Sequence, residues 1–163
     1  MTKTQHRVWK YGDNVNTDVI FPGKYTYTID RDPVELARHA LEDLDPSFAG
    51  AVQSGDVIVA GRNWGNGSSR EQAVKCLIAA RVHAVIASGF ARIYYRNAIN
   101  GGLLVITCPE LAEVVVGGAT IEIDMDEARI HYAGAAYSFP PLPDQLREIV
   151  SAGGIIAYLQ QKY

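Results

Sequence analysis

Three short, uninterrupted apolar runs restrict this chain more than any other feature: Val57-Ile58-Val59-Ala60, Ala84-Val85-Ile86-Ala87 and Leu103-Leu104-Val105-Ile106. A strand that is apolar at every position has no solvated face, and such strands belong to parallel sheets covered on both sides. Between the first two runs, Ser69 to Ala80 places Ala73, Val74, Leu77 and Ile78 on one helical face. Between the second and third, Ala91 to Asn100 reads as another helix, stopped by Gly101-Gly102. Strands alternating with helices in this way predict a largely parallel sheet joined by right-handed crossovers.

The flanks have a different period. From His6 to Ile29, β-branched and aromatic residues surround a polar loop, Gly12 to Asp18, which suggests short strands. Asp32 to Leu44 reads as a helix with Pro33 near its start, ended by Asp45-Pro46. Beyond the third apolar run, Ile121 to Asp124 and Arg129 to Tyr132 alternate like a half-exposed hairpin. A last helix is expected from Asp144 to Tyr163, weakened by Gly153-Gly154. The 163 residues suit a single domain, 1–163, large enough to hide about two-thirds of its unfolded surface.

Several function classes drop out. A net charge of −3 provides no basic field, so nucleic acid is not an expected partner. No apolar run reaches the roughly 20 residues that a helical membrane span needs, and Met1 to Lys10 has no secretory pattern. Cys76 and Cys108 sit in apolar segments and read as buried thiols, which points to a reducing cytoplasm. His6, His39, His83 and His131 lack ligand spacing, and Asp124, Asp126 and Glu127 read as a solvated turn.

The chemistry concentrates between the first run and its helix, in Gly61-Arg62-Asn63-Trp64-Gly65-Asn66-Gly67-Ser68-Ser69-Arg70-Glu71. A glycine-rich loop entering a helix presents free N–H groups to an anion, and Arg70 adds a fork of donors suited to a carboxylate. Ser68 and Glu71 also have the spacing of a capping box, which would account for both without any ligand. The loop lacks the third glycine of a dinucleotide fingerprint, the lysine of a P-loop and the glycine–x–serine–x–glycine elbow.

Gly65 to Glu71 resembles the glycine–x–glycine–serine–serine–arginine–glutamate motif of the swivelling domain in the aconitase superfamily. Three further segments are similar to that family in order and spacing: Asp13 to Ile20, with its Asn16-Thr17-Asp18; Pro22-Gly23-Lys24-Tyr25; and Phe90 to Gly101. The resemblance implies an α/β fold, a swivelling β/β/α domain. Its mixed, largely parallel sheet core carries helices on its faces and a β-rich edge built from the two ends of the chain. It also implies the small subunit of a heteromeric hydro-lyase, active only with a large subunit that carries a 4Fe-4S cluster, while this chain binds no cofactor or metal itself.

Carried onto this sequence, the resemblance makes Ser68 the general base that removes a proton beside a carboxylate, with Asp18 orienting the catalytic groups. Ser69, Arg70 and Thr17 would contact the substrate, a hydroxy-carboxylate of the isopropylmalate kind. Thr26 and Tyr27 fall in the family's specificity loop, where relatives often carry a leucine or an arginine. Asn66 and Gln72 stand where cysteine and histidine are frequent. A smaller methylated malate such as 2,3-dimethylmalate is the alternative substrate, and a non-enzymatic carboxylate-binding module is the alternative function. Arg92 and Arg96 would anchor their helix against the loop or the partner.

Overall fold

The computed structural model describes residues 3–28 and 32–163; Ile29, the end of the first region read above, lies outside them. Among the described residues seven strands form one sheet. They are β1 (Lys3–Lys10), β2 (Val57–Ala60), β3 (Ala84–Ala87), β4 (Leu104–Thr107), β5 (Thr120–Asp124), β6 (Arg129–Tyr132) and β7 (Ala135–Ser138), in the order β4-β3-β2-β1-β5-β6-β7. The helices are α1 (Thr17–Ile20), α2 (Pro33–Arg38), α3 (Phe48–Ala51), α4 (Gln72–Ala79), α5 (Arg92–Gly101), α6 (Pro109–Val114), α7 (Asp144–Ala152) and α8 (Ile155–Lys162).

The sheet has two halves that meet on β1. Val8 to Lys10 pair in parallel with β2, which continues through β3 to β4, while Lys3 to Arg7 pair antiparallel with β5. The three apolar runs form the parallel half, and every residue of β2 and β3 is buried. The antiparallel half joins the first strand to β5, β6 and β7 from the tail, so both ends of the chain build that edge. Helices α4 and α5, the two crossovers, touch each other, as do α5 and α7.

Elsewhere the elements depart from expectation. The helix expected from Asp32 to Leu44 stops at Arg38, because Leu41 takes a positive φ of 56° and its N–H goes to Ile20 O, 2.8 Å away. Burying Leu41 against α1 therefore replaces the next helical turn. The last helix divides at Gly153-Gly154. An added Cβ would fall 2.6 Å from Gly153 C at Gly102 and 2.7 Å from Asn100 O at Gly154, so the ends of α5 and α7 meet backbone to backbone. Helix α6 was not anticipated; Lys10 reaches its C-terminal end, donating to Ala112 O and, at 3.2 Å, to Val115 O. A cation there complements the helix dipole.

One reading of the polar residues changes. Asp124 is buried rather than solvated, and its Oδ1 accepts from Glu127 N at 3.1 Å to close the β5–β6 turn. His6 and His83, far apart in sequence, stack with ring centroids 4.2 Å apart. His6 Nδ1 donates to Gly55 O at 2.6 Å. Neighbouring Asp56 is buried, accepting from Arg7, Trp9 Nε1 and Gln53 N.

Candidate functional site

The candidate site lies outside the carboxyl ends of β1 and β2, the edge at which open α/β sheets bind ligands. Past the strand ends the two chains stay zipped together. Tyr11 N donates to Val59 O (2.9 Å), Gly61 N to Gly12 O (3.0 Å), Asn14 N to Arg62 O (2.8 Å), Gly65 N to Val15 O (2.8 Å) and Thr17 N to Asn66 O (2.9 Å). On the other side, Trp64 N donates to Gly89 O and Ala91 N to Trp64 O, tying the loop to the end of β3. Gly65, at φ +84°, lies directly on the Tyr94 ring, where an added Cβ would sit 2.2 Å from Tyr94 Cγ. This ladder delivers α1, capped by Asn16 Oδ1 on Val19 N, to the side of Ser68.

Five of the seven residues singled out by sequence converge in one hydrogen-bonded cluster: Thr17, Asp18, Thr26, Ser68 and Arg70. Thr17 is only 1% exposed. Its Oγ1 accepts from Ser68 N at 3.1 Å and lies 3.0 Å from Ser68 Oγ. Arg70 Nε donates to the same Ser68 Oγ at 3.3 Å. Arg70 Nη1 donates to Thr26 Oγ1 at 3.0 Å. Its Nη2 faces three acceptors: Thr17 O at 3.1 Å, Asp18 Oδ1 at 2.9 Å and Phe21 O at 2.8 Å. With five N–H bonds on a guanidinium, these contacts leave one Nη1 hydrogen without a partner among the described residues, open to a ligand. Arg70's side chain is 17% exposed, against 71% for Asp18, and Ser68 opens to solvent.

Ser69 and Tyr27 stay outside this cluster. Ser69 is exposed and contributes its carbonyl, which accepts from Asn97 Nδ2 at 3.0 Å. Tyr27 stands 97% exposed. Gln72, which stands where relatives often carry histidine, donates from Nε2 to Thr26 O at 3.3 Å, and Asn97 is a site residue that the sequence reading does not single out. The signal for Asn97 was its position three residues after Tyr94, on the same face of α5. Tyr94 and Asn97 tie α5 to this loop, the former through its hydroxyl on Ala73 O at 2.8 Å. Arg92 and Arg96 are exposed and make no ion pair among the described residues.

The capping box does not form. Helix α4 starts at Gln72 behind Glu71, which caps nothing with its side chain and instead pairs with Lys75 at 3.4 Å. The Thr17 bond to Ser68 N and the Asn97 bond to Ser69 O hold residues 68 and 69 away from helical geometry. The polarity at Ser68 Oγ therefore comes from Thr17 and Arg70 rather than from a helix terminus. A serine alkoxide there could accept from both, while a neutral Ser68 hydroxyl can donate to Thr17.

Cys76 and Cys108 are both buried, and burial raises each thiol's pKa, which disfavours the thiolate. Among the described residues no group of three or more His, Cys, Asp or Glu side chains converges as metal ligands. The donor set of the described residues, with two separate buried thiols, does not fit an iron–sulfur cluster.

Against known proteins, the Aconitase C-terminal domain family matches residues 13–111. The 3-isopropylmalate dehydratase small subunit of Nautilia profundicola is 48% identical over 157 residues, covering 95% of this chain and 93% of that one. The 2,3-dimethylmalate dehydratase small subunit of Eubacterium barkeri is 44% identical over 159 residues, covering 96% of each. The crystal structure of 3-isopropylmalate dehydratase from Methanocaldococcus jannaschii superposes with a TM-score of 0.91 at 42% identity, over 98% of this chain and 95% of that one. A family match across most of the chain, relatives matched nearly end to end and a shared fold agree: the chain belongs to the aconitase C-terminal domain family, among relatives named as dehydratase small subunits.

Proposed function

We propose that this chain is a single-domain small subunit of an aconitase-type hydro-lyase, acting in the cytoplasm on a 2-hydroxy dicarboxylate of the 3-isopropylmalate kind. A large subunit completes the site and carries the 4Fe-4S cluster that the resemblance implies. The carrying observation is Ser68: its hydroxyl is open to solvent and sits between the Thr17 hydroxyl and Arg70 Nε.

The Ser68 alkoxide takes the proton from the carbon beside a substrate carboxylate, the C–H electron pair becomes the new double bond, and the neighbouring C–O bond breaks; the hydroxide released would be taken up by the Lewis acid that the large subunit supplies. A serine is a poor base, so its alkoxide depends on donors aimed at it in advance. Thr17 O–H and Arg70 Nε–H are those donors. Thr17 acts on Ser68 rather than on substrate, since its side chain is buried. Asp18 fixes the plane of Arg70 through Nη2. The remaining Nη1 hydrogen, with Ser69, takes the substrate carboxylate. Exposed Ser68, Ser69 and Asp18 have no roof among the described residues, which supports a site closed by a second subunit.

The 2,3-dimethylmalate reading of the substrate rests on the Eubacterium barkeri relative and on the exposed Tyr27 beside Thr26. The test is turnover of a panel of substituted malates by the chain reconstituted with its large subunit. Ser68→Ala is expected to abolish turnover while leaving the melting temperature within a few degrees. Near-normal rates in that variant would reject Ser68 as the base, and failure to activate any large subunit would favour a binding module.

A further inference from the structure

The Gly67–Glu71 segment carries the proposed chemistry yet belongs to neither a strand nor a helix. Its position depends on a few tethers. On the α1 side these are the Thr17 bond to Ser68 N and the Arg70 side chain. On the opposite side, the Asn97 carboxamide donates to Ser69 O at 3.0 Å. The Ser69 carbonyl lies between the residue that would take the proton and the one that would hold the carboxylate, so its orientation sets the relative geometry of Ser68 and Arg70.

Asn97 is itself well fixed. It sits on α5 three residues from Tyr94, whose ring supports Gly65 and whose hydroxyl holds Ala73 O at the start of α4. Tyr94 is fully packed, and the turn of helix it anchors carries Asn97 to the loop. Two residues on one face of α5 thus grip the Gly65–Ala73 stretch, Tyr94 at both ends and Asn97 at its centre. A side chain needed only to keep α5 folded would face the core; Asn97 is half-buried and spends its amide on a carbonyl of another loop.

We infer that Asn97 is a positioning residue for the dehydration, holding the Ser69 carbonyl so that Ser68 and Arg70 keep their reactive arrangement. It touches no reacting atom. This inference rests on the proposed role of Ser68. A misplacement of about 1 Å can cost on the order of 100-fold in rate, whereas one half-exposed hydrogen bond contributes little to folding.

The experiment compares Asn97→Ala, Asn97→Asp, Asn97→Gln and Ser68→Ala in the enzyme reconstituted with its large subunit, with melting temperature and subunit affinity measured in parallel. Aspartate keeps the shape of asparagine but removes the donor and turns an oxygen toward Ser69 O. The expected result is a fall in kcat of about 10- to 100-fold in Ala and Asp, little change in KM, partial recovery in Gln, and melting temperatures and subunit affinity close to wild type. Faster amide hydrogen exchange confined to residues 68–71 should accompany it. Inactive Ser68→Ala beside Asn97→Ala and Asn97→Asp at near-normal kcat would overturn the inference alone. A rate loss matched by a drop in melting temperature or subunit affinity would also overturn it, making Asn97 structural. An active Ser68→Ala would remove the reading beneath it, and the inference with it.

Discussion

Thr17→Val isolates the hydroxyl that the structure places against Ser68. Valine preserves the shape of threonine, and the side chain is 1% exposed, so the apolar packing of α1 should survive. Two contacts disappear: the acceptor for Ser68 N at 3.1 Å and the partner of Ser68 Oγ at 3.0 Å. The first loss leaves an N–H near the surface that water can partly satisfy, costing about 1 kcal/mol, or about 2–4 °C in melting temperature for a chain of this length. The second matters to rate. Removing one of the two donors that hold Ser68 as its alkoxide lowers the share of active base; taking a lost preorganised oxyanion donor as the scale, the cost is on the order of 100-fold in kcat, about 2.7 kcal/mol. Arg70 Nε, at 3.3 Å, remains and sets a floor to the loss. Initial dehydration rates of the reconstituted enzyme measure the effect, with Thr17→Ser as the control that restores the hydroxyl while losing a methyl. A Thr17→Val enzyme within twofold of wild-type kcat would refute the assignment of Thr17 as the donor. Equal damage in Thr17→Ser would assign the effect to packing.

Gly65→Ala should lower stability by about 3 kcal/mol, because its Cβ would lie 2.2 Å from Tyr94 Cγ at a left-handed φ; a thermal melt should show a loss of about 6–12 °C. Stability should also fall in mild acid. Partial desolvation, aided by the stacked His6 ring, lowers the pKa of His83 although its outer face stays exposed, and burial lowers that of His6 against the opposing pull of Gly55 O and Asp56. The unfolded chain, with histidines near 6.5, then binds more protons than the folded one, so stability is fully present above about pH 6.5 and declines toward pH 4. Melting temperatures across that range should show the slope, with a shallower one in His83→Gln, and a flat profile would count against it. Asp56, held low by Arg7, Trp9 and Gln53 N despite its burial, adds its own loss only at still lower pH.

The parallel half of the sheet was legible because apolar content alone specifies a strand buried on both faces, as in Val57–Ala60 and Ala84–Ala87. The tail was harder to read. Strand β7, Ala-Ala-Tyr-Ser, is mostly exposed and is specified by pairing with β6 rather than by its own pattern. The end of α2 was invisible for a related reason, since the Leu41 N–H bonds to Ile20 O, a contact with no local signature. At the site, the motifs identified Ser68, Arg70, Thr17 and Asp18, but their roles needed coordinates. Only the structure reveals that Thr17 is buried against Ser68, or that Asn97 reaches Ser69 O. The Ser68–Glu71 spacing suggested a helix cap, and tertiary hydrogen bonds overrode it.

The zipper beyond β1 and β2 makes the active corner a matter of register. Thr17 and Ser68 are fifty-one positions apart in the chain, yet the backbone rungs from Tyr11 to Thr17 count off, residue against residue, how far each segment travels before they meet. Adding or deleting one residue between Tyr11 and Asn16 would slide one segment by about 3.3 Å, more than a hydrogen bond tolerates. Evolution can therefore exchange side chains around this corner far more readily than it can change the length of the two paths leading into it.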